Sequence, residues 1–466
     1  MATNISSISL DDLRGAIRGR VVGPDDAGYE EDRSVFAAPD LRPLVIVRVA
    51  DAHDVATTVR FARDGGLELA VRSGGHSTVG YGTTDGGVLL HLGDMKAIEI
   101  DPDARTAWAE TGLTAGEVGV EAAKLGLAIG FGDTGSVGIG GITTGGGAGY
   151  LVRKHGLTID NLLAAEVVTA DGEIRRVDAD HEPDLFWAIR GGGGNFGVVT
   201  RFQYRLSPVP SVYGGMLLLP ATPDTLAGFL AAAQDAPEEL STIANVMPAM
   251  PMPFIPEEHH GKVSNMALMA YAGDPEDGER AMAPFRALAE PIVDQLRPIS
   301  YPELFPAEEY PDDEGPAPVA YGRTMFLDRV DREVAAGILR RVESHAATPG
   351  TIFAVAQLRV LGGAYARVPA DATAYAHRSS RIMANIAAMY IPGAADASVQ
   401  RGWVDGTIDD LRQEDPGAYV NFLADEGADG VRSAYPEPTL SRLREIKRRY
   451  DPTNLFHRNQ NITPQA

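Results

Sequence analysis

The sequence predicts a mixed α+β chain of two domains, the first built to lay main chain along an extended ligand. Three observations carry this. The chain has 466 residues, enough for two domains with well-packed cores. Three glycine clusters, around Gly74, across 132–149 and across 191–197, are set among strand and helix patterns in the first two hundred residues. After Leu206-Ser207-Pro208-Val209-Pro210 the glycine clusters thin out and helices with longer connections take over. A domain boundary is therefore placed near residue 208.

Charge and composition narrow the function classes. Net charge is −23, a surface that repels nucleic acid and anionic membrane, so neither is expected as a partner. There is no cysteine, so disulfides, zinc–thiolate sites and thiol chemistry are excluded and no metal site is expected. Met1 to Ser7 lack a basic region followed by an apolar core, and no apolar run reaches membrane-span length. A soluble, cytoplasmic protein is expected.

Leu44 to Val47 reads as a buried strand, and Asp51 to Asp64 as a helix with Val55, Val59 and Ala62 on one face and Gly65-Gly66 ending it. Leu67 to Val71 alternates with period two and is the next strand, completing a β-α-β unit. It empties into Arg72-Ser73-Gly74-Gly75-His76, where missing side chains let a ligand reach successive peptide N–H groups, a concavity suited to pyrophosphate. Alone, this stretch also fits a plain strand corner with a surface histidine. Gly87 to Leu90 and Thr106 to Ala109 are further strands, and Thr114 with Glu117 forms a capping box for a helix running to about Leu125.

The second glycine cluster fails the dinucleotide fingerprint: Thr143 sits where the third glycine belongs, and no strand leads into it. Val137, Ile139, Ile142 and Leu151 are interleaved and want burial, so ligand-lining backbone is favoured over a linker. Asp171-Gly172 between apolar runs predicts a tight hairpin. Asp184 to Arg190 is a short helix feeding the third cluster, which enters a strand near Val198.

In the second half, proline recurs from Val246 to Pro256 and forbids a regular helix there. This stretch is either a methionine-rich loop over an apolar cavity or an ordinary connection. Asp328 to His345 is an amphipathic helix. Ile352 to Val360 is a strand with Phe353, Val355, Gln357 and Arg359 on one face, a place where two polar groups orient a ligand unless the edge simply meets water. Tyr419 to Phe422 reads as a short strand, and Thr439 to Arg449 as a helix stopped by Asp451-Pro452.

Arg72 to His76, Val137 to Gly149, Gly156 to Asn161, Pro183 to Gly197 and Tyr450 to Phe456, in that order over nearly the whole chain, resemble one family. The sequence is similar to bacterial FAD-linked oxidases of the vanillyl-alcohol oxidase (PCMH-type FAD-binding) superfamily, in the berberine-bridge-enzyme-like branch. The resemblance implies a PCMH-type FAD-binding domain from 1–207 completed by 418–466. Residues 208–417 would form an antiparallel-sheet substrate domain covered by helices. It implies FAD held singly and covalently through His76, because relatives that add a cysteinyl link have cysteine where this chain has Thr134.

Cofactor contacts are implied for Ser73, Gly74, Gly75, Ser77, Gly80 and Tyr81; for Thr134, Gly138, Gly140, Gly141, Gly145, Gly146 and Gly149; and for Asp160, Asn161, Val199, Asn421 and Asn459. His91 departs from the aspartate usual after its strand. Val137 matches a position whose small side chain is associated with O2 as acceptor, which favours oxidase over dehydrogenase. Gln357 and Arg359 stand where relatives often place a catalytic base. Tyr419, with Tyr365, Tyr321 and His377, remains among the candidates for that role.

The resemblance thus implies hydride removal from an alcohol, amine or phenolic small molecule, with reoxidation by O2 and release of hydrogen peroxide. A monooxygenase or oxidative cyclase acting on aromatic or polyketide compounds is the alternative of the same class. A non-catalytic flavin carrier or sensor is the alternative of another; a roofed substrate cavity argues against it.

Overall fold

The computed structural model describes residues 10–37, 39–305 and 317–464; Met1 to Ser7, read above for a leader, lie outside the described residues. Three large sheets and one two-stranded ribbon, Leu127–Ala128 with Ser207–Pro208, are found among the described residues. In the first, Val45–Arg48 and Leu69–Arg72 both run parallel to Val88–His91, which lies between them, and Arg20–Val22 adds an antiparallel edge. The two strands of the expected β-α-β unit are therefore not neighbours. The connecting helix is Ala52–Gly65, capped by the Asp51 carboxylate accepting from the His53 and Asp54 amides and ended by Gly66 in the left-handed region.

The second sheet is antiparallel, in the order Ile98–Asp101, Thr106–Glu110, Val198–Arg205, Leu162–Val168 and Ile174–Asp178. The Asp171-Gly172 hairpin joins its last two strands, with Gly172 at φ +80°. Thr114 and Glu117 form the capping box of helix Ala115–Ala123.

The third sheet spans Val212 to Tyr390 in eight antiparallel strands, centred on Leu240–Pro248, Thr351–Val360 and Ile382–Tyr390. Helices Pro223–Asp235, Pro275–Arg286, Arg332–Ala346 and Ala397–Leu411 bury its outer face through such residues as Phe229, Met282, Ile338 and Trp403. The helix expected from Asp328 begins at Arg332, because the Asp331 carboxylate accepts from the Glu333 and Val334 amides and caps it there.

Tyr419 to Phe422 is a correction: Val420–Phe422 is a single 3-10 turn, not a strand. The final segment packs into the core of the first half, with Leu440, Leu443 and Ile462 among Leu185, Phe196 and Tyr204. Helix Thr439–Tyr450 ends because Asp451 turns its carboxylate onto the Leu455 and Phe456 amides, both at 2.8 Å. Lys447, wholly buried, donates to Asp451 and to the Asn195 and Phe456 carbonyls at 2.7–2.8 Å, stitching the third glycine cluster to the C-terminal segment. No helix among the described residues is long and apolar enough to cross a membrane.

Two outcomes follow from buried charge. Lys447→Met strands the Asp451 carboxylate and should cost about 3–5 kcal/mol in urea unfolding. His91 accepts from the Gly93 amide at 2.9 Å. Burial, with Arg72 and Arg48 nearby, lowers its pKa to about 3. The unfolded chain therefore takes up a proton near pH 6.5 that the folded chain refuses. Stability supplied by neutral His91 is complete above pH 6.5 and declines as pH falls toward 3. His91→Asn should flatten that limb of a urea-midpoint profile.

Candidate active site

The first glycine turn and the second cluster are pressed together at their backbones. A Cβ on Gly74 would stand 2.2 Å from the Gly138 nitrogen, and one on Gly138 would stand 2.1 Å from the Gly74 nitrogen. Ser73 seams them, its hydroxyl donating to the Thr111 carbonyl at 2.6 Å and accepting from the Gly140 amide at 3.1 Å. Gly75, at φ +72°, turns the chain. The main-chain N–H groups of Gly74, Gly75, Ser77 and Thr78 meet no acceptor among the described residues. They face a cavity of about 640 Å³ that runs from these turns to the inner face of the third sheet.

That cavity brings together most of the expected cofactor residues. Ser73, Gly74, Gly75, His76, Ser77 and Tyr81 line it from the first turn; Thr134, Val137, Gly138, Gly140 and Gly141 from the second; Val199, Tyr419, Asn421 and Asn459 from later segments. Within 4 Å of where a Gly141 side chain would begin there is only open space. His76 stacks on Phe36, with centroids 5.0 Å apart, and its Nε2 lies 2.9 Å from the Ser136 hydroxyl.

Six expected contacts lie off the cavity. Gly80, at φ +84°, closes the first turn and its carbonyl accepts from Arg458. Gly145 and Gly146 leave room for protein: a Cβ would lie 2.0 Å from the Asn421 Oδ1 and 3.0 Å from the Tyr419 ring. Gly149 admits the Gly132 carbonyl. Asp160 holds Arg378 through two bonds of 2.7–2.8 Å, and the Asn161 amide caps the His155 and Leu157 carbonyls. In the structure these six bond to or make room for protein.

The roof carries Gln357 and Arg359 on the cavity face, as the alternation implied. Arg359 is 4% exposed, so the water-facing edge is ruled out. It donates to Asp133 Oδ2 at 2.8 Å, to the Gln357 Oε1 at 2.7 Å and to the Ala148 carbonyl at 2.8 Å. The Gln357 amide in turn donates to Asn245 at 2.9 Å. Asp133 and Asn245 were not singled out in the sequence. Asp133 sat inside the glycine run, and Asn245 is a lone amide in an apolar strand, a signal readable only once the strand's burial is known.

Of the candidate bases only Tyr419 reaches the cavity. Tyr365 is sealed against Tyr375 and the His377 carbonyl, Tyr321 bonds Asp405, and His377 lies against the Ala434 carbonyl. The Tyr419 hydroxyl accepts from the Gly147 amide at 2.8 Å and from Asn421 at 3.0 Å, and burial raises its pKa. It stays protonated at neutral pH.

The Met247 and Met250 side chains line the cavity, whereas the Leu240–Pro248 strand already includes Val246 to Pro248. The methionine-rich stretch is thus half strand and half loop. FAD fits the donor set: unsatisfied amides at the glycine turns, a side-chain-free patch at Gly141, and an Asn459 Oδ1 that is buried without a partner.

Known proteins resemble this chain in sequence and fold. The FAD binding domain family matches residues 43–178, and the berberine and berberine-like family matches residues 418–463. (R)-6-hydroxynicotine oxidase of Paenarthrobacter nicotinovorans is 33% identical over 97% of this chain and 98% of its own. An FAD-linked oxidoreductase of Dictyostelium discoideum is 33% identical over 91% of this chain and 89% of its own. The crystal structure of 6-hydroxy-D-nicotine oxidase from Arthrobacter nicotinovorans superposes with a TM-score of 0.85 at 28% identity, covering 100% of both chains. Glucooligosaccharide oxidase of Acremonium strictum, which carries a 6-S-cysteinyl, 8α-N1-histidyl FAD, shares the fold at a TM-score of 0.84 and 24% identity, over 98% of this chain and 100% of its own. The chain belongs to the berberine-bridge-enzyme-like FAD-linked oxidoreductases of the vanillyl-alcohol oxidase (PCMH-type) superfamily.

Proposed function

We propose that this oxidoreductase is an oxidase that removes hydride from a carbon bearing oxygen or nitrogen in an alcohol, amine or phenolic small molecule, with O2 as acceptor and hydrogen peroxide as product. The observation that carries the reading is the single cavity joining the glycine turns to a roofing sheet with Gln357 and Arg359 at their junction. Bound there, FAD supplies the two-electron acceptor. Residues 1–207 and 418–466 would hold it, and 208–417 would cover the substrate.

His76 is the attachment residue in this reading, its ring oriented by Ser136 and Phe36. The link is single, because no cysteine exists to make a second. Gln357, fixed on both ends by Arg359 and Asn245, orients rather than accepts protons. Arg359 holds permanent positive charge where an anion develops, and Asp133 keeps its plane fixed. Tyr419 serves as a hydrogen-bonding wall, not as a base. The small Val137 on the cavity wall is consistent with access for O2.

Acid-precipitated wild type should give a yellow pellet, and His76→Ala a colourless pellet with yellow supernatant; colour shed by the wild type would overturn covalent attachment. A peroxide-coupled screen across alcohol, amine and phenol panels should find turnover with peroxide matching product. Oxygen from O2 appearing in product without peroxide would convert the assignment to a monooxygenase. On a substrate so found, Arg359→Lys should lower kcat by about 10² by losing the fixed planar donor.

A further inference from the structure

The roof is graded in polarity, strand by strand. Across three adjacent strands, Asn245 faces Gln357 and Gln357 faces Asn385, so one rung of the sheet presents three carboxamides to the cavity. Two of them are committed to protein. Gln357 is held by Arg359 and Asn245, and Asn245 donates to the Met266 carbonyl at 3.1 Å. The Asn385 side chain, half-buried, makes no hydrogen bond among the described residues. It offers one donor group and one acceptor to whatever occupies the cavity.

The next two rungs are apolar. Val355 faces Ala387, and beyond them Phe353 faces Met389, all lining the cavity. At the roof the charges pair off: Asp133 is the lone carboxylate among the described lining residues and Arg359 holds it, while the other lining arginines, Arg72 and Arg458, sit at the first glycine turn, where they donate to the Ser34, Gly80 and Thr83 carbonyls. A cationic ligand would find no free anion there, and a polyhydroxylated one would bury hydroxyls against methionine, valine and phenylalanine without partners.

Resting on the oxidase reading above, we infer that the substrate is an uncharged, flat, largely apolar molecule, aromatic or heteroaromatic, whose one polar group is bound by Asn385, and that carbohydrate is excluded. Asn385 is then the specificity-determining residue: it selects the end that enters. The apolar rungs accept the body, in the manner of sites with few placed polar groups in an apolar wall.

The test is a flavin difference-spectrum titration of the purified holoenzyme with 4-hydroxybenzyl alcohol, benzyl alcohol and 3-pyridylmethanol, against cellobiose. At least one aromatic probe should give a saturable change, and cellobiose none at far higher concentration. For that probe Asn385→Ala should weaken binding about tenfold with flavin content unchanged. Asn385→Asp, which keeps the shape but loses the donor and adds charge, should do the same. Silence from all aromatic probes, binding of cellobiose at similar concentration, or unaltered affinity in both variants overturns the inference while the oxidase reading stands. A preparation that rejects FAD removes that reading and this inference with it.

Discussion

Two backbones in contact, at Gly74 and Gly138, set the geometry on which the site depends. With Cβ positions 2.1–2.2 Å from the opposing nitrogen, neither residue has room for a side chain. The contact brings the amides of the first turn level with the start of helix Ile139–Gly145. Ser73 locks the register by bonding to both sides. His76 follows three residues after Ser73, so the same contact fixes where its imidazole stands relative to Ser136 in the opposing segment. Sequence distance is small here, yet the function needs two turns more than sixty residues apart.

The roof solves a different problem, that of placing a guanidinium inside a largely apolar sheet. A buried charge is tolerated only when paired and fully hydrogen-bonded. Arg359 is paired with Asp133 and its two terminal nitrogens are bonded to Asp133, Gln357 and the Ala148 carbonyl, with the Phe422 ring 5.2 Å from its guanidinium carbon; its Nε alone meets no partner among the described residues. Asp133 and Ala148 both belong to the second glycine cluster. The third sheet is therefore bonded to the glycine cluster through a buried guanidinium that also lines the cavity.

How much of this was legible in the sequence depended on whether a signal was local. The Thr114–Glu117 box and the Asp171-Gly172 hairpin each specify their own geometry within a few residues, and each forms. Period-two alternation correctly put Gln357 and Arg359 on one face. What the sequence left unread was non-local. Gly145, Gly146 and Gly149 look identical to cradle glycines, but what they make room for is Asn421, Tyr419 and the Gly132 carbonyl. Asp160 is bonded through both oxygens by Arg378, over two hundred positions later, a partner no local pattern announces. Tyr419 to Phe422 has strand composition, but Tyr419 and Asn421 bond back to the second cluster at Gly147 and Ile142.

The C-terminal return follows from the same logic of partners supplied at a distance. The cavity wall needs Asn421 and Asn459, and both lie on a segment that owes its position to a buried lysine. Lys447 satisfies Asn195 beside the third glycine cluster, Asp451, and Phe456, three residues before Asn459. Its charge is thus compensated only when the glycine cluster, the final helix and the closing loop are all in place. A ligand touching the first turn, the second cluster and Asn459 at once favours the one arrangement in which those partners coincide, so its binding free energy adds directly to the stability of the assembled core. Holding such a ligand and closing the fold are coupled in this architecture, with the long excursion through the third sheet inserted between its two halves.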